Sequence, residues 1–340
     1  MRRKAAKKHR NRMDEKSKSP RSKKPECDSS PARPVITPKA VTKRAANEKP
    51  EALVKRIKGS LVGLHEWRGH DSAGVPWEVY CGDSNAVLTN FVSNRFACVV
   101  TSPPYYWQRN YGVDGQIGLE PTIEQYVSSV ADTMDQVRRV LRDDGCLFLN
   151  LGDTYYSGKG QPQGKDPKSK ARRFGLRAVD ASGLGVPRKT TIGIPWRVAI
   201  EMISRKWILR SPIIWAKEGA IPEPTAKDRP WRTYEHLFLF TKSPKYYFDR
   251  SALGKFEDIW MISDRPIANN GVHSAAFPDQ LVEKCLAVGC PKAGEVLDPF
   301  AGTGTVLRVA SRTGRRSTGV DLSRTFCEYI VKLLDSETNR

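Results

Sequence analysis

Apolar residues in this chain follow two alternating patterns: short uninterrupted runs, and longer stretches where they recur every three or four positions. Phe96-Ala97-Cys98-Val99-Val100 and Cys146-Leu147-Phe148-Leu149-Asn150-Leu151 are runs of the first kind. Bounded by turn residues, they read as strands buried on both faces. Residues 77–81, 207–215, 235–241, 295–298 and 317–320 read as further strands. Helical spacing covers residues 121–141, with Ile123, Tyr126, Val127, Val130, Met134, Val137, Val140 and Leu141 on one side and Asp143-Asp144-Gly145 as the stop. Residues 195–204, 277–288 and 305–312 read as helices too. No internal repeat is visible. Strands alternating with helices predict an α/β fold, a doubly wound, Rossmann-like, mostly parallel sheet.

Two segments break the pattern, and charge explains why. The chain carries a formal net charge of +20, yet residues 1–60 hold 20 Lys and Arg against 6 Asp and Glu, and residues 155–192 hold 9 against 2. The remainder is close to neutral. With almost no periodic apolar content, residues 1–60 cannot offset the entropy of ordering and are expected to be a basic disordered tail. The rest, 61–340, is expected to be one catalytic domain, with 155–192 a glycine-rich, basic mobile loop inserted in it. A solvated tail and loop are the plain alternative. Both segments suit a polyanion, since each neutralised phosphate releases counterions; Lys165, Lys168, Lys170, Arg172 and Arg173 are the loop's candidate contacts. No apolar run is long enough to cross a membrane, and the charged N-terminus is not a secretory signal. The seven cysteines are scattered without a Cys-x-x-Cys pair, which points to a reducing compartment and to no structural metal site.

Two motifs carry chemistry. Asp298-Pro299-Phe300-Ala301-Gly302-Thr303-Gly304-Thr305 lies between a strand and a helix, where glycines let a ligand approach the backbone. It lacks the third glycine of a dinucleotide fingerprint and the Lys-Ser/Thr pair of a P-loop. Asp321 ends the next strand, placed to accept hydrogen bonds from ribose hydroxyls. A ligand with a ribose and no pyrophosphate fits, and S-adenosyl-L-methionine is one. The second motif, Ser102-Pro103-Pro104-Tyr105, follows Thr101 at the end of a buried strand. Read blandly it is a stiff turn. Read chemically, the Ser102 side chain and the Pro103 carbonyl can hold the hydrogens of a base amine. Its lone pair, otherwise delocalised into the ring, is then free for in-line methyl transfer governed by positioning and electrostatics. Tyr105 offers a ring on which a base drawn out of the duplex can stack.

Together, and in this order, the motifs over residues 77–333 resemble the DNA N4-cytosine/N6-adenine amino-methyltransferases of the permuted β group. The resemblance implies a circularly permuted methyltransferase fold, S-adenosyl-L-methionine as cofactor and DNA as partner. It assigns catalysis to Ser102, Pro103, Pro104 and Tyr105, and cofactor binding to Asp83, Thr101, Phe277, Asp298, Phe300, Gly302, Gly304, Thr305 and Asp321. Asp83 matches the acid near the adenosine, and 273–278 the segment beside the methionine moiety. Residues 146–155 and 231–243 match strands lining the base pocket. Adenine-modifying members usually have Asp or Asn where this chain has Ser102, so the resemblance favours the cytosine N4 amine over the adenine N6 amine. C5 methylation needs a thiolate, typically from Pro-Cys, and the chain has only the reversed Cys290-Pro291.

Arg229 and Arg232, in a polar loop, suit either DNA phosphate or a surface ion pair. His65, His70 and His236 are expected to be structural or exposed; Trp107, Trp207, Trp215 and Trp260 to be core; Tyr106 could be core or a base platform. The interval 245–270, where relatives carry a target-recognition region, is too short for an independent domain. Sequence preference is then relaxed or supplied by the loop 155–192. Basic stretches such as Lys7-Lys8-His9-Arg10 resemble nuclear localisation signals, which favours a nuclear enzyme with chromatin association; a bacterial or phage cytoplasmic enzyme is the alternative. Two rivals stay open: a non-catalytic chromatin protein on the same fold, and an RNA or protein methyltransferase.

Overall fold

A computed structural model describes residues 65–156, 187–220, 223, 226–255, 257–263 and 277–337 of the 340-residue chain. The expected tail 1–60, residues 157–186 of the expected loop and residues 264–276 lie outside the described residues.

In chain order the elements are β1 (His65–His70), β2 (Pro76–Cys81), α1 (Ser84–Leu88), β3 (Phe96–Thr101) and α2 (Ile123–Val140). Then come β4 (Leu141–Leu151), α3 (Ile194–Ser204), β5 (Ile208–Glu218), β6 (Tyr234–Thr241) and β7 (Ile259–Ser263). The chain continues through α4 (Asp279–Gly289), β8 (Glu295–Asp298), α5 (Thr305–Arg312), β9 (Arg316–Asp321) and α6 (Arg324–Glu337). The strands form one sheet in the order β1-β2-β9-β8-β3-β4-β6-β5-β7. Only β1 and β6 run against the others.

Alternation along each strand divides the core between the two faces of the sheet. Cys98, Val100, Cys146 and Phe148 point to the side covered by α4, α5 and α6. Val99, Leu147 and Leu149 point to the side covered by α1, α2 and α3, joined by Phe96, which precedes the register irregularity in β3. Helices on both faces of a largely parallel sheet make it doubly wound, as the apolar runs predict. At the strands' entry edge, Arg95 bridges Glu78 (2.8 Å) and Glu295 (2.5 Å) while its guanidinium lies over Phe91 and Phe96.

Several boundaries differ from expectation. Helix α2 starts at Ile123, where the Thr122 hydroxyl accepts the Gln125 N–H (3.1 Å), and passes straight into β4. The stop signal Asp143-Asp144-Gly145 lies inside β4 as a bulge: Phe96 faces Leu141 and Cys98 faces Cys146. Helix α4 begins at Asp279, two residues after the expected start. Strands β1 and β7 and helices α1 and α6 have no counterpart among the elements expected from sequence.

Topology positions the site. From β8 the chain crosses through α5 to β9 on one side; from β3 it crosses through α2 to β4 on the other. Because β3 and β8 are neighbours, their carboxyl ends flank the crevice where the winding direction reverses, which is where ligands bind in such sheets.

Candidate active site

A cavity of about 390 Å³ opens at that crevice. One wall is the loop after β3, with Ser102, Pro103, Pro104 and Tyr105; another is the loop after β8, with Asp298, Phe300, Ala301, Gly302 and Thr303. Asp321 and Ser323 follow from the end of β9, and Asn150, Lys217 and Glu235 from β4, β5 and β6. Two motifs nearly two hundred residues apart thus face a common space because their strands pair.

Hydrogen bonds hold the acidic wall. Thr101 Oγ1 donates to Asp298 Oδ1 at 2.7 Å, and the Phe300 N–H donates to the same oxygen at 3.0 Å. The Gly302 and Ser323 N–H groups donate to the two oxygens of Asp321, each at 2.8 Å. Burial still dominates: it pushes the Asp298 carboxyl up to about 7, with Asp321 adding to the shift, and the Asp321 carboxyl up to about 6. Both carboxyls therefore gain by meeting positive charge or hydroxyl donors. Thr303 Oγ1, buried in the same wall, has no hydrogen-bond partner among the described residues. A cation carrying ribose hydroxyls fits this donor set.

A second network lies behind the proline loop. Ser102 Oγ donates to the Tyr105 hydroxyl (3.3 Å), which donates to Glu235 Oε2 (2.7 Å). Asn150 Nδ2 donates to the same carboxylate oxygen (3.1 Å) and to the His236 carbonyl (3.3 Å). Lys217 Nζ closes on Glu235 Oε1 at 2.8 Å and lies 4.5 Å from the centre of the Trp215 ring. Burial, and then the Glu235 carboxylate, raise the Tyr105 phenol well above its ordinary range. The Pro104 carbonyl is occupied by the Tyr126 hydroxyl (2.9 Å).

All four residues expected to be catalytic, Ser102, Pro103, Pro104 and Tyr105, line the cavity, as do Asp83, Phe277, Asp298, Phe300, Gly302, Thr305 and Asp321. Thr101 and Gly304, expected as cofactor contacts, do not. Thr101 is fully buried and supports Asp298; Gly304, at φ 78°, starts α5, where a Cβ would meet Ile330 Cγ1 at 2.9 Å. Asp83 faces the cavity and also caps α1, accepting the Ala86 N–H at 2.9 Å. Tyr106 is core, 1% exposed, with its ring against Tyr126. Trp207, Trp215 and Trp260 are buried as expected, Trp215 bordering the cavity too; Trp107 is half-buried.

Lys165, Lys168, Lys170, Arg172 and Arg173 lie outside the described residues, as do residues 273–276 of the segment ending at Pro278. Arg229 pairs with Glu223 (2.6 Å) and lies 4.0 Å from the Tyr155 ring centre. Arg232 donates to the Asp153 carbonyl. Both arginines are thus engaged by the protein itself. Thr303 lies within the glycine-rich motif, and Asn150 and Glu235 within the stretches 146–155 and 231–243 expected to line the base pocket, without being singled out; Lys217 lies outside all of these. A lone amide in the apolar run 146–151 is the local signal for Asn150.

The family model described as DNA methylase, for N6 and N4 enzymes, matches residues 96–332. The chain is 39% identical over 265 residues to the type II methyltransferase M.Cfr9I of Citrobacter freundii, covering 75% of this chain and 87% of that protein. It is 37% identical over 260 residues to M.SmaI of Serratia marcescens, covering 73% and 87%. Among solved structures, the PvuII DNA methyltransferase (cytosine-N4-specific) superposes with a TM-score of 0.60 at 19% identity, covering 81% of this chain and 96% of that one; this shows likeness of fold. TTHA0409 of Thermus thermophilus, solved with S-adenosyl-L-methionine, superposes with a TM-score of 0.52 at 25% identity, covering 76% and 94%. The expectation of a nuclear enzyme finds no support here: these relatives are bacterial, in agreement with the alternative of a bacterial enzyme. Among the described residues no helix is long and apolar enough to cross a membrane.

Proposed function

The chain belongs to the N6/N4 family of DNA methylases, and we propose that within it the protein methylates the exocyclic N4 amine of cytosine in DNA. The observation that carries this reading is the shared cavity, with Ser102 on one wall and the paired acids Asp298 and Asp321 on another.

S-Adenosyl-L-methionine, the cofactor, supplies an electrophilic methyl group on a sulfonium. Asp298 answers the cofactor's positive charge, Asp321 its ribose hydroxyls, Phe277 and Phe300 its apolar edges, and Thr303 offers the hydroxyl left unpartnered in the same wall. On the substrate side, a cytosine drawn out of the helix enters between Tyr105 and the acidic wall. The Ser102 hydroxyl directs its proton to Tyr105, so its lone pairs face the amine. Together with the Pro103 carbonyl it holds the amine hydrogens and draws the nitrogen lone pair out of conjugation. Catalysis is by positioning. A short serine hydroxyl, where adenine-modifying members usually have Asp or Asn, favours cytosine. Lys165, Lys168, Lys170, Arg172 and Arg173 are proposed phosphate contacts, each adding a salt-dependent increment to affinity; Arg229 and Arg232 join them only by exchanging Glu223 and the Asp153 carbonyl for phosphate.

Ser102→Ala tests the reading. Transfer of labelled methyl to duplex DNA should fall by on the order of 100-fold while cofactor affinity stays at the wild-type value. Full activity in Ser102→Ala would remove the proposed role of the hydroxyl.

A further inference from the structure

Methylating a base amine leaves its nitrogen with one proton too many, and a serine hydroxyl is by itself a poor place to put it. We infer that Glu235, acting through Tyr105 and Ser102, is the terminal acceptor for that proton, and that Lys217 and Asn150 hold it ready. The inference rests on the reading of Ser102 given above.

The hydrogen bonds run in one direction. Ser102 Oγ donates to the Tyr105 oxygen, and Tyr105 donates to Glu235 Oε2 in the shorter contact, 2.7 Å against 3.3 Å. Nothing in that chain points a proton at the amine. Glu235 is fixed from two further sides, by Asn150 Nδ2 on Oε2 and Lys217 Nζ on Oε1. The Lys217 and Glu235 side chains are 17% and 16% exposed, so the pair keeps contact with solvent. Tyr105 keeps its proton at neutral pH, since burial and Glu235 raise its phenol well above the ordinary range. It is therefore a carrier of protons and not a phenolate base.

Atoms and charge balance in the step. The amine nitrogen bonds to the methyl carbon as the carbon–sulfur bond breaks, and the sulfonium becomes a neutral thioether. The excess proton on nitrogen moves to Ser102 Oγ as the serine proton moves to the Tyr105 oxygen and the tyrosine proton to Glu235 Oε2. Ser102 and Tyr105 end unchanged; Glu235 ends as a neutral acid and returns its proton to solvent. Glu235 borders the cavity, but its two carboxylate oxygens are taken by Tyr105, Asn150 and Lys217, which makes it a positioning and relay residue.

The charged and titratable groups nearest Glu235 are Lys217 on β5, Tyr105 in the proline loop and His236 on its own strand, with Asp153 acting on His236 in turn. The test is single-turnover methyl transfer by the full-length protein, saturated with cofactor and duplex DNA, across pH and in light and heavy water. Glu235→Gln keeps the shape and removes the charge. Its rate should fall by about 100-fold, with unchanged cofactor and DNA affinities, and the acid limb of the wild-type profile should disappear. Tyr105→Phe severs the relay without touching the Glu235–Lys217 pair and should show the same loss, which keeps the test decisive where Glu235→Gln does not fold. A wild-type rate in either folded variant overturns the relay, and so does a slow Glu235→Gln that retains the acid limb. A slow Ser102→Ala beside a fast Glu235→Gln sinks the relay alone; a fast Ser102→Ala sinks the reading beneath it.

Discussion

Asp298→Asn separates what the cavity does for the ligand from what it costs the fold. Asp298 is 2% exposed at the end of β8, and burial pushes its carboxyl from the ordinary 3.8 up to about 7. That difference corresponds to about 4 kcal/mol, at roughly 1.4 kcal/mol per tenfold change in proton affinity. The cost is full above about pH 7, where the carboxylate is charged in the folded and the unfolded chain alike. As pH falls from about 7 to about 4 the folded protein takes up the proton first, so the cost fades, and below that range it is gone. Asparagine keeps an acceptor for the Thr101 hydroxyl and the Phe300 N–H but carries no charge. The ligand-free variant should therefore exceed the wild type in stability by up to about 4 kcal/mol at about pH 8, and by nothing near pH 4. Urea unfolding of both proteins at several pH values measures the difference directly. Cofactor affinity should fall at least tenfold, an effect of about 1.4 kcal/mol, because a buried negative charge opposite a cation is lost. A variant less stable than the wild type at about pH 8, or a stability difference that does not move with pH, would refute the reasoning.

Three further outcomes follow from the packing and the charge. In Gly152→Ala the new Cβ would lie 2.4 Å from Tyr105 Cε2, so the ring must shift; turnover should fall by on the order of 100-fold with cofactor affinity kept, measured by labelled transfer and calorimetry. Arg95→Ala strips Glu78 and Glu295 of their shared partner and should cost about 3–5 kcal/mol in urea unfolding; a loss under about 1 kcal/mol would mean water replaces the arginine. Deleting residues 1–58 should weaken DNA binding and flatten its dependence on salt while methyl transfer at saturating DNA survives; loss of the fold would contradict a role confined to DNA contact.

Much of the cavity was legible because its two walls are continuous stretches of chain. The sequences 101–105 and 298–305 each end a buried strand, and a strand end fixes where the next residues lie. Individual roles within the motifs were not legible: the Thr101 side chain turns inward to support Asp298, and Gly304 is a left-handed turn residue packed against Ile330 at the start of α5. The resemblance places Asn150 and Glu235 on strands lining the base pocket, but their meeting with Lys217 was out of reach for another reason. The three meet only when β6 inserts antiparallel between β4 and β5 in a register that sets Leu151 opposite His236 and Trp215 opposite Glu235. No local pattern encodes that pairing. Strand β7 alternates over just five residues, and β1 is a half-exposed edge, so neither carries enough apolar signal to be read. Helix α6 is different, since Cys327, Ile330 and Leu334 already stand at helical spacing and are buried.

Ser102, Asp298 and Asp321 are proposed to define a cytosine N4 methylation site. That proposal is tested most directly by incubating the purified full-length protein with duplex DNA and isotopically labelled S-adenosyl-L-methionine, then digesting the DNA to nucleosides for mass spectrometry. Label should appear in N4-methyldeoxycytidine. Label in N6-methyldeoxyadenosine, with none in cytosine, would contradict the proposal.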